Sequence, residues 1–435
     1  MPTVRTTLST SFYANRQRKY AYIHQFFSRL LVYFSPKYSL KLIKKFALLI
    51  IEALASLLRF IPESIYPNLL YPIEDEIVST TTRVILTRRK QNQQQVCLKL
   101  WQQKVCNQEL VMRHAAYLVE GFEFNRRFAP KVYLGIAPVK LSMDTTKIRR
   151  GKLIDKPKKR DLKPEVDYVV VMRCLDRDWR LDYQLSQGGL GTQKGIEFLA
   201  REVARMHRQL EKSPEAMGEP ERISSKLAIN SRLYQEALHL LASDPDHTGK
   251  HDLLRKYGWL SNLMVQACES YTGYFEQRCE DGSIKRCHGD LKTSNLWVRP
   301  KRSLFGLKKS GQELIALDCI DFNPEFCHID ILSDVAMLAI DIETHLIKEP
   351  DKGTNKHYVQ QLARHFLDSY LREVEETSEA AWPLLEYYMT EKAMVCAYVS
   401  ILYDDQLTLG KKYLTVALSH AQRLEKMLKH ENYQP

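Results

Sequence analysis

The chain has 435 residues, 44% of them hydrophobic and 10% aromatic, a balance that supports folded cores and excludes a disordered body. Its formal charge of +12 is concentrated in three places: residues 1–51 carry nine bases and no acid, 147–163 nine bases and two acids, and 299–309 five bases and no acid. A nucleic-acid binder needs a continuous basic face, so basic charge confined to a tail and two loops argues against that class.

Residues 1–45 form a basic extension rich in aromatic, Ser and Thr residues. From Lys41 to Ile61 an apolar run follows Lys41, Lys44 and Lys45 and is interrupted by Glu52, Ser56 and Arg59. A membrane span wants about twenty residues with few charges, which this run does not supply. Two readings stay open, a buried amphipathic helix and a basic helix lying on an anionic bilayer surface. A secretory signal is poorly matched, because the apolar part starts late and no small-residue cleavage site follows.

Strands are expected from Ile77 onward. Val78–Leu86 and Val96–Trp101 are β-branched or apolar runs separated by the polar turn 88–95. Lys99 is the one charge inside its apolar strand. A helix carrying Glu109, Glu120 and Glu123 is expected next, then a strand and turn over 128–145 and a charged insertion over 147–164. Tyr168–Met172 is a further β-rich run, leading into Arg173-Cys174-Leu175. The rest reads as helix. Ile196, Leu199, Val203, Met206 and Leu210 step by three and four and make one apolar stripe beside His207. Helices are also expected over 259–278, 332–346, 356–374, 382–402 and 411–431. Nine cysteines without a Cys-x-x-Cys pair fit a reducing cytoplasm better than a disulfide scaffold.

The chemistry gathers between Cys287 and Asp334. Cys287-His288-Gly289-Asp290-Leu291-Lys292-Thr293-Ser294-Asn295 precedes the apolar run Leu296–Val298. A second apolar run, Leu314–Ile320, is followed by Asp321 and contains Asp318. Phosphoryl transfer needs one carboxylate to orient the acceptor hydroxyl, and an amide and a further carboxylate to hold magnesium. Pairing of the two runs as strands is expected to bring Asn295 and Asp321 side by side.

His288-Gly289-Asp290 with Asn295 resembles the catalytic loop of the aminoglycoside phosphotransferase-like family in the protein-kinase-like superfamily. Ile320-Asp321-Phe322 with Asp334-Val335-Ala336 resembles that family's metal-binding and structural aspartates. Phe124-Asn125-Arg126-Arg127-Phe128-Ala129-Pro130 and Tyr168–Arg173 are similar to segments of a bacterial branch often fused to a P-loop kinase domain. The resemblance runs from about Pro62 to Leu424. It implies an α+β, two-lobed protein-kinase-like fold: a small antiparallel N-lobe over 46–175 and a mostly helical C-lobe over 176–435.

The resemblance also implies roles. Asp290 is the expected base. Lys292 either neutralises the moving phosphoryl or faces solvent. Lys99 is expected on the α- and β-phosphates of ATP, held by Glu120, with Met172 and Leu175 lining the adenine pocket. Asn295 and Asp321 are the expected Mg2+ ligands; the branch usually has glutamate where Asp321 stands, so Asp318 shares the claim. Asp334 is expected to accept hydrogen bonds from the catalytic-loop backbone. Glu386, Tyr387, Tyr388, Lys392 and Tyr398 are candidates to line an acceptor pocket. No glycine lies between Ile73 and Leu118, so a Gly-rich phosphate lid is missing and hydroxyls and amides of 79–82 are its expected substitute.

The expected activity is ATP-dependent transfer of the γ-phosphoryl to a hydroxyl of a small molecule, in the cytoplasm or at the inner membrane surface through a weak peripheral contact of the basic segment. No Gly-x-x-x-x-Gly-Lys-Ser/Thr segment is present, so this chain would act alone. The alternative is a non-catalytic nucleotide-binding regulator. Protein kinase activity is disfavoured, since no Ala-Pro-Glu segment exists and thirteen residues separate Asp321 from Asp334.

Overall fold

Apolar β-runs at the start of the described chain curl into a barrel, and amphipathic helices after it build a separate helical core. The computed structural model describes residues 70–78, 82–87, 96–101, 108–141, 147–162, 166, 168–242, 250–302, 309–321, 323–346, 356–404 and 406–431. The extension 1–45, the apolar segment 41–61, residues 79–81, the turn 88–95 and Phe322 lie outside the described residues.

The barrel is antiparallel and closed, with strands in the order β1 (Leu70–Val78), β2 (Thr82–Thr87), β3 (Val96–Trp101), β6 (Tyr168–Arg173), β4 (Tyr133–Leu141) and β5 (Lys147–Arg150). Alternation along the strands sends Ile85, Leu98, Ala137, Val139, Val169 and Val171 inward as one apolar cluster. Two expectations change here. The run 78–86 is two strands, with Val78 paired to Arg83 across the turn. The charged insertion contributes β5, which pairs with both β1 and β4 and closes the barrel. Three bases in four residues concealed it, because Ile148 is the one apolar residue of that strand.

Between β3 and β4 runs helix α1 (Gln108–Phe128). After β6 come α2 (Leu181–Ser186) and α3 (Gln193–Arg208), the latter capped by Thr192, whose hydroxyl accepts from the Gly195 N–H at 3.2 Å. The expected stripe is buried at Ile196, Leu199 and Val203, each such side chain contributing about 1.5–3 kcal/mol. The helix expected over 259–278 is two helices, α5 (Lys250–Ser270) and α6 (Thr272–Glu280), which follow α4 (Pro220–Ala242).

β7 (Ile284–Arg286) pairs with β10 (His328–Asp330), and β8 (Leu296–Arg302) with β9 (Lys309–Ala316). The short α7 (Pro324–Cys327) precedes β10. Then follow α8 (Ile331–Leu346), α9 (Lys356–Val374), α10 (Ala381–Leu402) and α11 (Leu407–Glu431). Helix α8 is buried from Ile331 to Thr344 and forms the axis of this core. At its start Arg278 makes a two-pronged ion pair with Asp330, 2.8 and 2.9 Å, and also reaches Glu376. Among the described residues no helix is long and apolar enough to cross a membrane.

A buried histidine joins three of these helices. His420 on α11 lies 2.7 Å from Glu386 of α10 and 3.1 Å from Glu343 of α8. Burial would lower its pKa, but the two carboxylates raise it above the ordinary histidine value. A group with a raised folded pKa adds stability that is complete below its unfolded pKa, about 6.5, and is lost as pH rises through the folded value. The urea midpoint is therefore expected to fall as pH rises above about 6.5, and His420→Gln to flatten that slope. Equal slopes in the two proteins would refute it.

Candidate active site

The loop from Cys287 to Asn295 is held from behind by one helix. Asp334 on α8 accepts the His288 N–H at 3.1 Å and the Gly289 N–H at 2.9 Å, as expected for it. Two turns further along, Asp341 accepts both the backbone N–H and the hydroxyl of Thr293 at 2.6 Å. Tyr413 donates to the other oxygen of Asp341. His207 Nε2 lies 3.1 Å from Asp334 and its Nδ1 2.6 Å from the Tyr370 hydroxyl. Gly289 is at φ +81, and a Cβ there would stand 2.5 Å from the Phe326 carbonyl, so no other residue fits the turn.

With its backbone pinned, the loop presents Asp290, Lys292 and Asn295. Asn295 Nδ2 donates to the Asp290 carboxylate and to its carbonyl, both at 2.9 Å. That leaves the Asn295 Oδ1 as the ligand-capable end. Lys292 stands 3.1 Å from Asp290, each about 28–29% exposed. Of the two readings left open, this excludes a lysine directed only to solvent. The Asp290 charge outweighs the burial that would lower Lys292, and holds it firmly protonated. His288 turns inward: its Nε2–H donates to the Leu317 carbonyl at 3.0 Å, and burial lowers its pKa.

The two strands pair as expected, Leu296 with Ala316 and Val298 with Leu314, but β9 ends at Ala316, short of Ile320. The residue brought to Asn295 is therefore Leu317, whose N–H donates to the Asn295 carbonyl at 2.9 Å. Asp318 follows in a left-handed conformation, φ 63, that turns its side chain toward β3. There it forms an ion pair with Lys99, whose side chain is 7% exposed against 54% for Asp318. Burial would raise the Asp318 carboxyl, but Lys99 holds it below the ordinary range, with Lys292 adding to the effect. Burial would likewise lower Lys99, and the charges of Asp318 and Asp321 hold it above the usual lysine value.

The ladder ends before Asp321, so strand pairing does not set it beside Asn295 as expected. Its carboxylate lies against α1, where Asn125 Nδ2 donates to it at 3.3 Å. A Cβ at Gly121 would stand 2.3 Å from its oxygen. Burial raises this carboxyl to about 6, with Lys99 opposing. Asn125 bonds into this cluster although spacing did not single it out. Its Oδ1 accepts from the Tyr133 hydroxyl at 2.9 Å and the Cys319 N–H at 3.0 Å, and Tyr133 accepts the Asp318 N–H at 3.0 Å. The resemblance of Phe124–Pro130 marked its segment, but nothing in the run set Asn125 apart from Glu123, Arg126 and Arg127. Replacing Gly121 with Ala pushes α1 and Asp321 apart. The expected loss is about 1–3 kcal/mol of stability, read as a lower urea midpoint; an unchanged midpoint would contradict this close approach.

The expected ion pair of Lys99 with Glu120 is not formed. Glu120 is exposed and stands 2.5 Å from Lys159. Helix α1 presents Gly121 and Asn125 to the site, so the neighbouring position 120 faces outward. Met172 is buried on β6, partnered by Cys97 on one side and Tyr133 on the other, and Leu175 is half-buried just beyond the strand. A cavity of about 320 Å³ bordered by Phe124, Arg127, Phe128, Arg286, Leu314 and Ala316 includes neither of them. Of the acceptor-pocket candidates, Glu386 is buried against His420 and Arg423, while Tyr387 and Tyr388 pack with Phe275 in the core. These three are structural.

Among the described residues no group of three or more His, Cys, Asp and Glu is arranged to hold a metal. A magnesium site of the phosphate-bridging kind needs no such cage, because it takes one or two protein oxygens and keeps water and phosphate for the rest. The oxygens of Asn295, Asp318 and Asp321 fit that donor chemistry.

No family model matches the chain. It is similar to uncharacterized proteins of Mycobacterium tuberculosis (strain H37Rv) and Mycobacterium bovis, each 24% identical over 314 residues that cover 70% of this chain and 51% of theirs. The chain thus spans about half the length of the curated relatives it matches. Among solved structures, it is similar to a glucosamine kinase (14% identical, TM-score 0.43, covering 82% of this chain and 94% of that one). A choline kinase from Cryptosporidium parvum is 13% identical at TM-score 0.42, covering 89% and 97%. A Plasmodium vivax ethanolamine kinase is 12% identical at TM-score 0.39, covering 80% and 81%. Those neighbours are small-molecule kinases; likeness at this level says nothing of the chemistry of this chain.

Proposed function

We propose that this chain is an ATP-dependent phosphotransferase that moves the γ-phosphoryl of ATP to a hydroxyl of a small molecule. The observation that carries the reading is the Lys99–Asp318 ion pair standing one residue from the strand partner of Asn295, on the loop that presents Asp290. In a loose phosphoryl-transfer transition state little covalent work is left to the protein, so positioning and charge dominate. Asp290 orients the acceptor hydroxyl and takes its proton. Lys292, already paired with that carboxylate, balances charge on the phosphoryl in flight. Lys99 grips the α- and β-phosphates, and Asn295 Oδ1, Asp318 and Asp321 are the oxygens that would hold a divalent cation. Bound magnesium supplies neutralisation of the β- and γ-phosphates. Met172 and Leu175 flank the adenine where the chain leaves β6.

Thermal melting with and without Mg·ATP, followed by ADP release over a panel of hydroxylated metabolites, tests this. At one hundred times its dissociation constant, ATP adds about 2.7 kcal/mol of stability. No stabilisation sinks the proposal, and stabilisation without ADP release on any acceptor converts it to a nucleotide-binding regulator.

A further inference from the structure

Cys97 stands two residues before Lys99 on β3 and is the ladder partner of Met172 on β6. Residues two apart on a strand share a face, and so do paired residues. Cys97, Lys99 and Met172 therefore line one side of the sheet, while Leu98 points into the barrel. The ladder ends with Val96 opposite Arg173. Cys174 is the first residue past it, two residues beyond the Met172 that faces Cys97, which sets it diagonally across the end of the ladder from Cys97, and a side-chain hydrogen bond links the two thiols. Both are half-buried and reduced, as is Cys279 elsewhere on the chain, whereas Cys268, Cys287, Cys319, Cys327 and Cys396 are buried.

We infer that Cys97 and Cys174 form an oxidation site, in which a small-molecule disulfide converts the thiol pair to a disulfide that ties the segment after Arg173 to β3 and weakens nucleotide binding. The weakening rests on the proposed function; the bond itself does not. A disulfide requires the sulfurs at about 2.05 Å and the Cβ atoms at about 3.8 Å, closer than a hydrogen-bonded thiol pair. Because Cys174 lies beyond the last ladder pair, its segment is the one free to move, and it carries Leu175 with it.

The chemistry balances. Cys174, beyond the last ladder pair, supplies the attacking thiolate, its proton passing to solvent. It attacks one sulfur of the small disulfide, forming a mixed disulfide and expelling the first small thiolate. Cys97 then loses its proton and attacks the Cys174 sulfur, expelling the second. Two protein thiols are oxidised and one small disulfide is reduced.

The test treats the full chain with oxidised glutathione, maps linked peptides by mass, and melts the protein with and without Mg·ATP. The expected result is a Cys97–Cys174 linked peptide, an ATP-induced rise in Tm cut by at least half, and full recovery with dithiothreitol. Cys174→Ser and, independently, Cys97→Ser are expected to keep their ATP response after the same treatment. Absence of the linked peptide overturns the site. A linked peptide with an undiminished ATP response, or an equal loss in the serine variants, overturns the link to binding. If ATP fails to stabilise even the reduced protein, the proposed function falls and takes that link with it, while the mass map still decides whether the bond forms.

Discussion

Asp290→Asn is expected to lower ADP release by about 10²–10⁴, the range a positioned base supplies, with the melting temperature nearly unchanged. The asparagine keeps the shape and one acceptor oxygen, so the Asn295 Nδ2, which also holds the residue 290 carbonyl, keeps its place. What disappears is the charge facing Lys292 and the capacity to take a proton. The loop backbone hangs on Asp334 and Asp341, not on Asp290, so the fold has little reason to respond. ATP-induced stabilisation measured beside turnover separates the cases. Retained turnover with normal ATP binding would remove Asp290 from its role, and a protein that no longer melts cooperatively would show that it holds the loop together.

Asp334→Ala is expected to act the other way, on stability first. Three donors converge on this buried carboxylate: the N–H groups of His288 and Gly289 and the His207 ring. Each donor would be left buried without its carboxylate acceptor at about 1–3 kcal/mol. A urea midpoint lowered by that amount is the expected result; a loss under about 1 kcal/mol would mean water takes over the site. The pH dependence has a fixed sign. Burial would raise the Asp334 carboxyl, but the His207 bond holds it below the ordinary range. Its contribution is therefore present above the unfolded value of about 3.9 and lost as pH falls through the folded one. Acid unfolding of the alanine variant should lack that component.

The α+β class and most helices were legible because their periodicities are long and strong, as in Ile196, Leu199 and Val203. The candidate loop was legible as a unit because His288, Gly289, Asp290 and Asn295 lie within eight residues of one another. Residues that act across the fold were not. Glu120 looked suitable by residue type, and one position of helical rotation placed Gly121 and Asn125 at the site instead. The partner of Lys99 came from 219 residues away, through a left-handed turn at Asp318 that no pattern announces. The strand β5 was hidden because Lys147, Arg149 and Arg150 leave one apolar residue in four, which reads as a solvated charge run.

Helix α8 acts as a ruler for the loop. Asp334 and Asp341 are seven residues apart, two turns or about 10.5 Å at 1.5 Å per residue, and each grips a different end of the stretch from His288 to Thr293. A single residue added between the two acids would swing one of them about 100° round the axis, leaving it pointed at packed core. The length of the loop and the spacing on the helix are therefore one specification written twice. Neither can drift without the other.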